Sequence, residues 1–460
     1  MSKSQRALSA DTSAELLSYI INVTPELRDE IDLPVQGQSI KPIGQIIINN
    51  ERYKNAFINT VNLIGLTVIK RNGWDNPWDF TKRGTLRFGQ QIREIINDLC
   101  NVYDYNANFT DTDRFLDNVV PNVFNYMHEV NFQKFYQTTT SDAQLAMAFD
   151  TEDSLFTYVD DLIGMLYESL KYDTYIVDKY MLCRRILDGT VTAIQIANYS
   201  SLTPRQRVSE MKSVSNKVTF RSPNYNPAGI RRATSFDDQI LIVNTEFEAD
   251  FSIDVMATSY FRDEADMRAR MVLIDGFDNH DTARLAEVLG DQYVTLTDSE
   301  LSQLANIPAV LISREWFMDY TYALDAESGE SKMTDFYNPT NLTRNVFLHY
   351  WGVFSTSPFE NAVVFGTVAP SVTSVTVSPS TATVSAGQTL KLTATVVTAG
   401  FANKAVHWAV DSTSETAGCK ISDAGVLSIP SDMTAASTVT VTATSIYDKT
   451  VSGTATITTA

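Results

Sequence analysis

The sequence predicts an α+β body followed by an all-β sandwich. Three observations predict this. Leu155, Val159, Leu162, Ile163, Leu166 and Leu170 form an apolar stripe at helical spacing, set between segments that read as strands. The composition changes sharply near Pro370. Beyond that point apolar residues alternate with Ser and Thr at period two, the pattern of half-buried antiparallel strands.

Taken in chain order, residues 1–45 are polar and mixed, interrupted by Pro25, Pro34, Gly37, Pro42 and Gly44. Residues 14–21 predict a short helix, and the rest reads as an extended arm. No apolar run has signal-peptide length, so synthesis in the cytoplasm with reduced thiols is expected. Residues 43–48 and 63–69 are far too short to span a bilayer. Residues 63–71 and 85–88 read as strands flanking a hairpin-like excursion that contains Trp74 and Trp78, with Lys82, Arg83 and Arg87 following. These five are candidates for contact with a second subunit, since buried aromatics dominate interface energy; the alternative is that both tryptophans plug the subunit's own body.

Next comes the helix. Thr151-Glu152-Asp153 places acids in a first turn, where the helix dipole favours them. The stripe resumes through Ile176, Tyr180 and Leu187 as far as Gly189, giving one long helix or two in tandem. Residues 271–274, 309–312, 345–354 and 361–365 read as strands that complete the body. In the last 90 residues there are 33 Ser and Thr, no Arg, four Lys and five acids. Leu390, Leu392, Ala394 and Val396 alternate with polar neighbours, as do Val406, Trp408 and Val410, and Val439, Val441 and Ala443. Turn signals separate these runs, so a sandwich with Trp408 as core plug is expected.

The whole chain has 36 Lys and Arg against 55 Asp and Glu, a net charge of −19, and the residues before 371 hold −18 of it. A bulk electrostatic footprint for DNA or anionic lipid is therefore not expected. One block departs from the trend: Arg205, Arg207, Lys212, Lys217, Arg221, Arg231 and Arg232 face a single acid, Glu210, between 204 and 232. Residues 142–173 hold eight acids and one Lys. The two blocks could pair across copies and set their register, the basic one could face nucleic acid, or both could be solvated faces without mutual contact.

Catalytic signals are missing. There is no phosphate-binding glycine loop, no nucleophile elbow and no HExxH. Cys100, Cys183 and Cys419 have no redox or metal spacing, and the four histidines have no zinc spacing. The polar run from Asp275 to Asp281 does not follow the order of a calcium loop and reads as a solvated turn. Glu246/Glu248 and Asp237/Asp238 are pairs of the kind that chance supplies among 55 acids. His128 and His349 sit among aromatics and read as core or interface residues. Neither a catalytic residue nor a cofactor or metal site is expected.

Two resemblances sharpen this. Val375-Thr-Val-Ser-Pro-Ser, Ala382-Thr-Val-Ser-Ala-Gly-Gln-Thr, Gly425-Val-Leu-Ser and Val439-Thr-Val-Thr-Ala-Thr resemble the bacterial immunoglobulin-like group 2 domain (BIG2), which lacks an inter-sheet disulfide. Ile46-Ile-Ile-Asn-Asn, Ile64-Gly-Leu-Thr-Val-Ile, Arg83-Gly-Thr-Leu-Arg-Phe-Gly-Gln-Gln-Ile, Pro121-Asn-Val-Phe, Phe132-Gln-Lys-Phe-Tyr, Val272-Leu-Ile-Asp-Gly-Phe, Glu315-Trp-Phe-Met and Phe359-Glu-Asn-Ala-Val-Val-Phe resemble, in that order, major head proteins of phi29-like podophages.

That resemblance implies a Hong Kong 97-type (HK97-like) capsid fold. Residues 1–45 would be its amino-terminal arm and 46–368 its body. Within the body, the extended loop would lie at about 66–100, the spine helix of the peripheral domain at about 152–188, and the axial domain at about 190–310. Residues 369–460 would be the BIG2 domain, while the stretch 281–306 departs from the family pattern and looks like an added loop-helix.

The implied function is a self-assembling head that encloses double-stranded DNA. The implied partners are other copies of the chain, a scaffolding protein, a portal protein, the packaged DNA and, through the last domain, the host surface. The rival readings are a surface adhesin or glycoside hydrolase with an immunoglobulin-like module, and a phage tail component.

Overall fold

The computed structural model describes residues 13–28, 31–34, 40–50, 52–57, 74, 76–87, 90–97, 99–100, 102, 123–141, 163–245, 247, 270–324, 331–434 and 436–459. The described residues open with helices α1 (Ser13–Val23) and α2 (Lys41–Asn49). Four strands follow: β1 (Lys82–Leu86), β2 (Ile92–Asn97), β3 (Val123–His128) and β4 (Phe132–Ser141). Next is the 23-residue helix α3 (Met165–Leu187). Then come β5 (Thr192–Gln195), α4 (Pro204–Val218), β6 (Gln239–Asn244) and β7 (Met271–Ile274). Helices α5 (Thr282–Leu289) and α6 (Asp298–Leu304) lead to β8 (Ala309–Ser313) and β9 (Asp319–Tyr322). The body closes with β10 (Lys332–Asn338), β11 (Thr343–Val353) and β12 (Ala362–Gly366).

At the centre lies the sheet β5-β12-β8-β6-β7. Its inner strands are covered on both faces, which is why Gln239–Asn244 and Ala309–Ser313 read as unbroken apolar runs rather than alternating ones. One face, with Ile240, Ile242, Val310, Ile312 and Val364, packs with Tyr180, Leu182, Cys183 and Ile186 of α3. The other, with Leu241, Val243, Ala309, Leu311 and Phe365, packs with Val208, Met211, Val214 and Val218 of α4. The second sheet has β11 at its middle, antiparallel to both β4 and β10, and β9 links it to β1. Its inner residues Val346, Leu348 and Tyr350 share a core with Leu166, Leu170 and Val177 of α3. Helix α3 therefore belongs to two cores at once.

Three sequence expectations meet the structure here. Within the arm expected at 1–45, the short helix expected at 14–21 is α1, and Leu17, Ile20, Ile21, Leu27 and Ile40 are not extended into solvent but buried in the same core as Phe132 and Leu166. Aliphatic residues spaced by three or four positions make an apolar stripe that must find a cover, and the body supplies it. The strand expected at 85–88 is β1, which begins at Lys82 and runs parallel to β9. Its expected partner, residues 63–71, lies outside the described residues. The helix expected from 152 is described from Ile163 and continues unbroken to Leu187. Residues 152–162, including Leu155, Val159 and Leu162, also lie outside the described residues.

After Gly366 a separate core begins. The sheets β14-β21-β20-β17, β13-β16 and β15-β19-β18 are built from β13 (Ser371–Ser378), β14 (Thr381–Val384), β15 (Thr389–Lys391), β16 (Thr393–Ala399), β17 (Val406–Val410), β18 (Lys420–Ile421), β19 (Val426–Ser428), β20 (Thr438–Ser445) and β21 (Ser452–Thr459). Trp408, Leu427, Val439, Val441 and Ile457 fill the space between them. The alternation read from the sequence is the alternation seen: Thr438–Ser445 is buried at every second residue.

Candidate assembly surfaces

The two tryptophans of the expected hairpin have opposite surroundings. Trp78 is fully buried, with edge-on ring contacts to Phe317 (5.4 Å) and Tyr175 (6.2 Å). It is a plug in its own subunit's core and leaves no surface for a neighbour, which corrects the expectation for this residue. The reason is local: Asn76 Oδ1 accepts from the Trp78 amide (2.9 Å), and a 3-10 turn at Asp79–Thr81 folds the indole inward under β1. Trp74 is 46% exposed and meets Tyr175 edge-on at 5.3 Å. Of the three cations, Arg83 turns inward, donating to the Phe317 carbonyl (3.0 Å) and the Arg314 carbonyl (2.6 Å). Lys82 pairs with Asp79 at 3.0 Å, and Arg87 is exposed.

Beneath that turn lies a buried acidic pair. Asp178 of α3 and Asp319 of β9 are both buried, and the Thr81 hydroxyl donates to Asp178 Oδ2 at 3.2 Å. Asp178 Oδ1 and both Asp319 oxygens have no hydrogen-bond partner among the described residues. Burial, and after it the other carboxylate, pushes Asp178 well above the usual range. Burial pushes Asp319 up to about 7, against the positive charge of Arg83. The sequence held a signal for this pair: Asp178 and Lys179 interrupt the apolar face of a helix.

Lys179 answers the second unexpected cluster. It is almost wholly buried, bonded to Asp275 Oδ1 and to the Asn279 carbonyl (2.6 Å), while the Tyr175 hydroxyl donates to the same Asp275 oxygen at 3.0 Å. Asn279 Nδ2 donates to Asp275 Oδ2 at 2.7 Å. The run from Asp275 to Asp281 is exposed at Asp275, Asp278, Asn279 and Asp281, as expected of a solvated turn, and is in addition pinned to α3. Burial pushes Asp275 upward, but the Lys179 ammonium outweighs it and holds the carboxyl low. Burial, aided by the Lys179 charge, lowers His280 to about 4. Among the described residues no group of three or more His, Cys, Asp or Glu could hold a metal ion. Asp237 is engaged by Arg270 (2.9 Å), Asp238 accepts from Ser235 (2.6 Å), and Glu246/Glu248 lie outside the described residues. A hollow of about 300 Å³ between β4, α3 and α5 includes Asp173, but that carboxylate is clamped by Arg284 (2.8 and 2.9 Å) and Tyr136 (2.8 Å).

The exposed apolar surface lies elsewhere. Strands β2 and β3 form a two-stranded ribbon with no further described strand beside it. Ile95 (61% exposed), Val123 and Met127 stand on one face of it, and Arg93 bonds Asn125 between them. Its root is fixed by His128, whose ring nitrogens meet Ser355 Oγ (2.8 Å) and Glu94 Oε2 (3.1 Å). His349 sits on the outer face of the second sheet, stacked with Phe347 and near Phe135.

The basic block is divided by the fold. Pro204–Val218 is α4, opened by Pro204 and by the Thr203 amide donating to Gln206 Oε1 at 2.9 Å. Arg207 lies over the Tyr199 ring at 4.2 Å. Arg232 pairs with the buried Glu360 and with Glu315 at 3.4 Å. Arg205, Lys217, Arg221 and Arg231 are exposed and Lys212 is half-buried, beside a Phe220 that is 72% exposed. The acidic block at 142–162 lies outside the described residues. Of its described members, Asp173 is bound to Arg284 and Glu168 to Lys171 (3.3 Å), neither to the basic block.

Among the described residues, the apolar face left open on the β2–β3 ribbon is a surface suited to association. Residues 20–366 match the family profile described as Phi29-like phage major capsid protein. The chain belongs to that family: it is a component of the phage virion, and its kind forms the shell. It is 29% identical to the major capsid protein of Bacillus phage PZA over 400 residues, covering 85% of this chain and 81% of that one. It is 27% identical to the major capsid protein of Bacillus phage B103 over 436 residues, covering 93% and 89%. The second match is too long to end at residue 366, so that relative has a counterpart to at least part of the carboxyl-terminal unit. Among solved structures, the capsid of Staphylococcus phage Andhra is similar with a TM-score of 0.47 and 12% identity, over 66% of this chain and 87% of that one. The α+β capsid body and the carboxyl-terminal β-sandwich expected from the sequence are both present.

Proposed function

We propose that the chain assembles, around a scaffolding protein and a portal, into a closed icosahedral or prolate head of the Hong Kong 97 type that holds double-stranded DNA. The observation that carries this reading beyond family membership is the open ribbon β2–β3. A two-stranded ribbon is marginal on its own in water, and one with exposed Ile95, Val123 and Met127 needs a cover. A neighbouring copy supplies it, with Trp74 and Arg87 alongside. The ribbon and the turn at 74–81 take the part of the extended loop, α3 that of the spine helix, and the central sheet with α4 most of the axial domain. The acidic body keeps the packaged polyanion from adhering to the wall, while Arg205, Lys212, Lys217, Arg221 and Arg231 offer a local contact for DNA or a neighbour. The sandwich, of the bacterial immunoglobulin-like group 2 type, faces outward to brace capsomers or meet the host.

No catalytic role is part of this reading, and assembly takes place in the host cytoplasm. Electron microscopy of the purified chain, with and without its scaffolding protein, tests it. Closed shells support the reading; a chain that stays a small soluble oligomer under both conditions overturns it.

A further inference from the structure

The turn between β16 and β17 joins the two cores in an unusual way. Phe401 and Ala402 are adjacent and both buried, yet they belong to different interiors. Phe401 lies in the body's core with Leu187, Val191 and Val364, while Ala402 lies in the sandwich core with Trp408 and Leu427. Phe401 holds a φ of 62°, a left-handed conformation that bulky side chains rarely adopt, immediately after Gly400 at 59°. The seam around it has no room to spare. A Cβ on Gly189, just past the end of α3, would stand 2.4 Å from the Ala402 carbonyl oxygen and 2.6 Å from Asn403 Cα. A Cβ on Gly400 would stand 2.5 Å from the Ala369 carbonyl, and the Phe401 ring lies against Gly366. The connecting residues are held from both sides, by Gln195 Nε2 donating to the Thr367 carbonyl (3.3 Å) and the Tyr447 hydroxyl donating to the Pro370 carbonyl (3.1 Å).

A flexible tether needs none of this. From these contacts we infer that the carboxyl-terminal sandwich is a fixed strut, seated by Phe401 as a plug in the body at the end of α3. The sandwich is then no removable decoration. Its direction is set by its own subunit's core, and a load on it passes directly into α3 and the central sheet. This inference concerns one subunit and does not depend on how subunits meet.

The test compares full-length wild type, F401A and F401L as unassembled subunits, by calorimetry and by timed proteolysis at residues 366–370. A rigid seat predicts one coupled unfolding transition in wild type. In F401A it predicts two separate transitions and cleavage of the connection at least about tenfold faster, since the seat must open before the protease can enter. F401L, which keeps an apolar plug, should fall between the two. If F401A does not accumulate, F401L alone must show faster cleavage than wild type. Two independent transitions in wild type, or cleavage in the variants no faster than in wild type, would overturn the inference.

Discussion

Replacing Trp78 with alanine empties a fully buried site between Phe80, Phe317 and Tyr175. Large-to-small changes of this kind cost about 3–5 kcal/mol. The variant subunit should therefore unfold at clearly lower denaturant before any shell forms. Trp74→Ala should leave subunit unfolding within about 1 kcal/mol of wild type, in the range of most changes away from the core. Its effect should appear in the yield and heat resistance of assembled particles. Equal behaviour of the two variants in the unassembled subunit would refute the separation.

The acidic pair makes a second prediction at this scale. A carboxyl raised on folding contributes most at low pH, and that contribution fades as pH climbs from its unfolded value toward the folded one. For Asp319 that window runs up to about 7. Asp319→Asn should accordingly stabilise the subunit relative to wild type at pH 8, and the advantage should vanish near pH 4. A melting-temperature difference that grows toward low pH would contradict this. Neither tryptophan's fate was legible in advance: Asn76-Pro77 announces a turn, but not the side on which the next indole lands.

Among the elements, α3 organises the body, because each half faces a different core. Its buried Lys179 holds the loop after β7, and the two partners are not equivalent: the Lys179 side chain is 3% exposed and that of Asp275 48%. Removing Asp275 strands a buried ammonium, which typically costs about 3–5 kcal/mol. Lys179→Met leaves a carboxylate that water can still reach. Urea unfolding should rank Asp275→Ala well below Lys179→Met, and the reverse order would refute the assignment.

Legibility varied with the kind of element. The sandwich strands could be read because one face is buried and one is wet, so the pattern alternates. Strand β6, buried on both sides, shows only a short apolar run that periodicity does not distinguish from helix. Helix α4 was visible only as a stretch of cations, although Thr203 and Gln206 at capping spacing and Pro204 at the first position marked its start. Strands β9 and β10 are short or carry mixed patterns, and their pairing with β11 depends on contacts remote in sequence.

For the whole molecule, interior and surface are divided between folding and assembly. Phe220, the ribbon face and Trp74 remain open, whereas Arg83, Lys179, Arg232 and Arg284 are engaged within the subunit. The net charge of −19 leaves the basic surface of α4 local. Arg205→Glu with Lys217→Glu should therefore change the salt dependence of assembly or DNA retention while leaving subunit unfolding within about 1 kcal/mol of wild type. A large loss of subunit stability would show that these side chains serve the fold instead.

The measurement that bears most directly on the central claim is an electron cryomicroscopy map of particles assembled from the full chain in the presence of the proposed scaffolding protein. The account predicts closed shells in which Ile95, Val123 and Met127 of the ribbon are covered by a neighbouring copy, and in which Trp78 stays inside its own subunit. A shell whose ribbon faces solvent, or no shell at all, would contradict it.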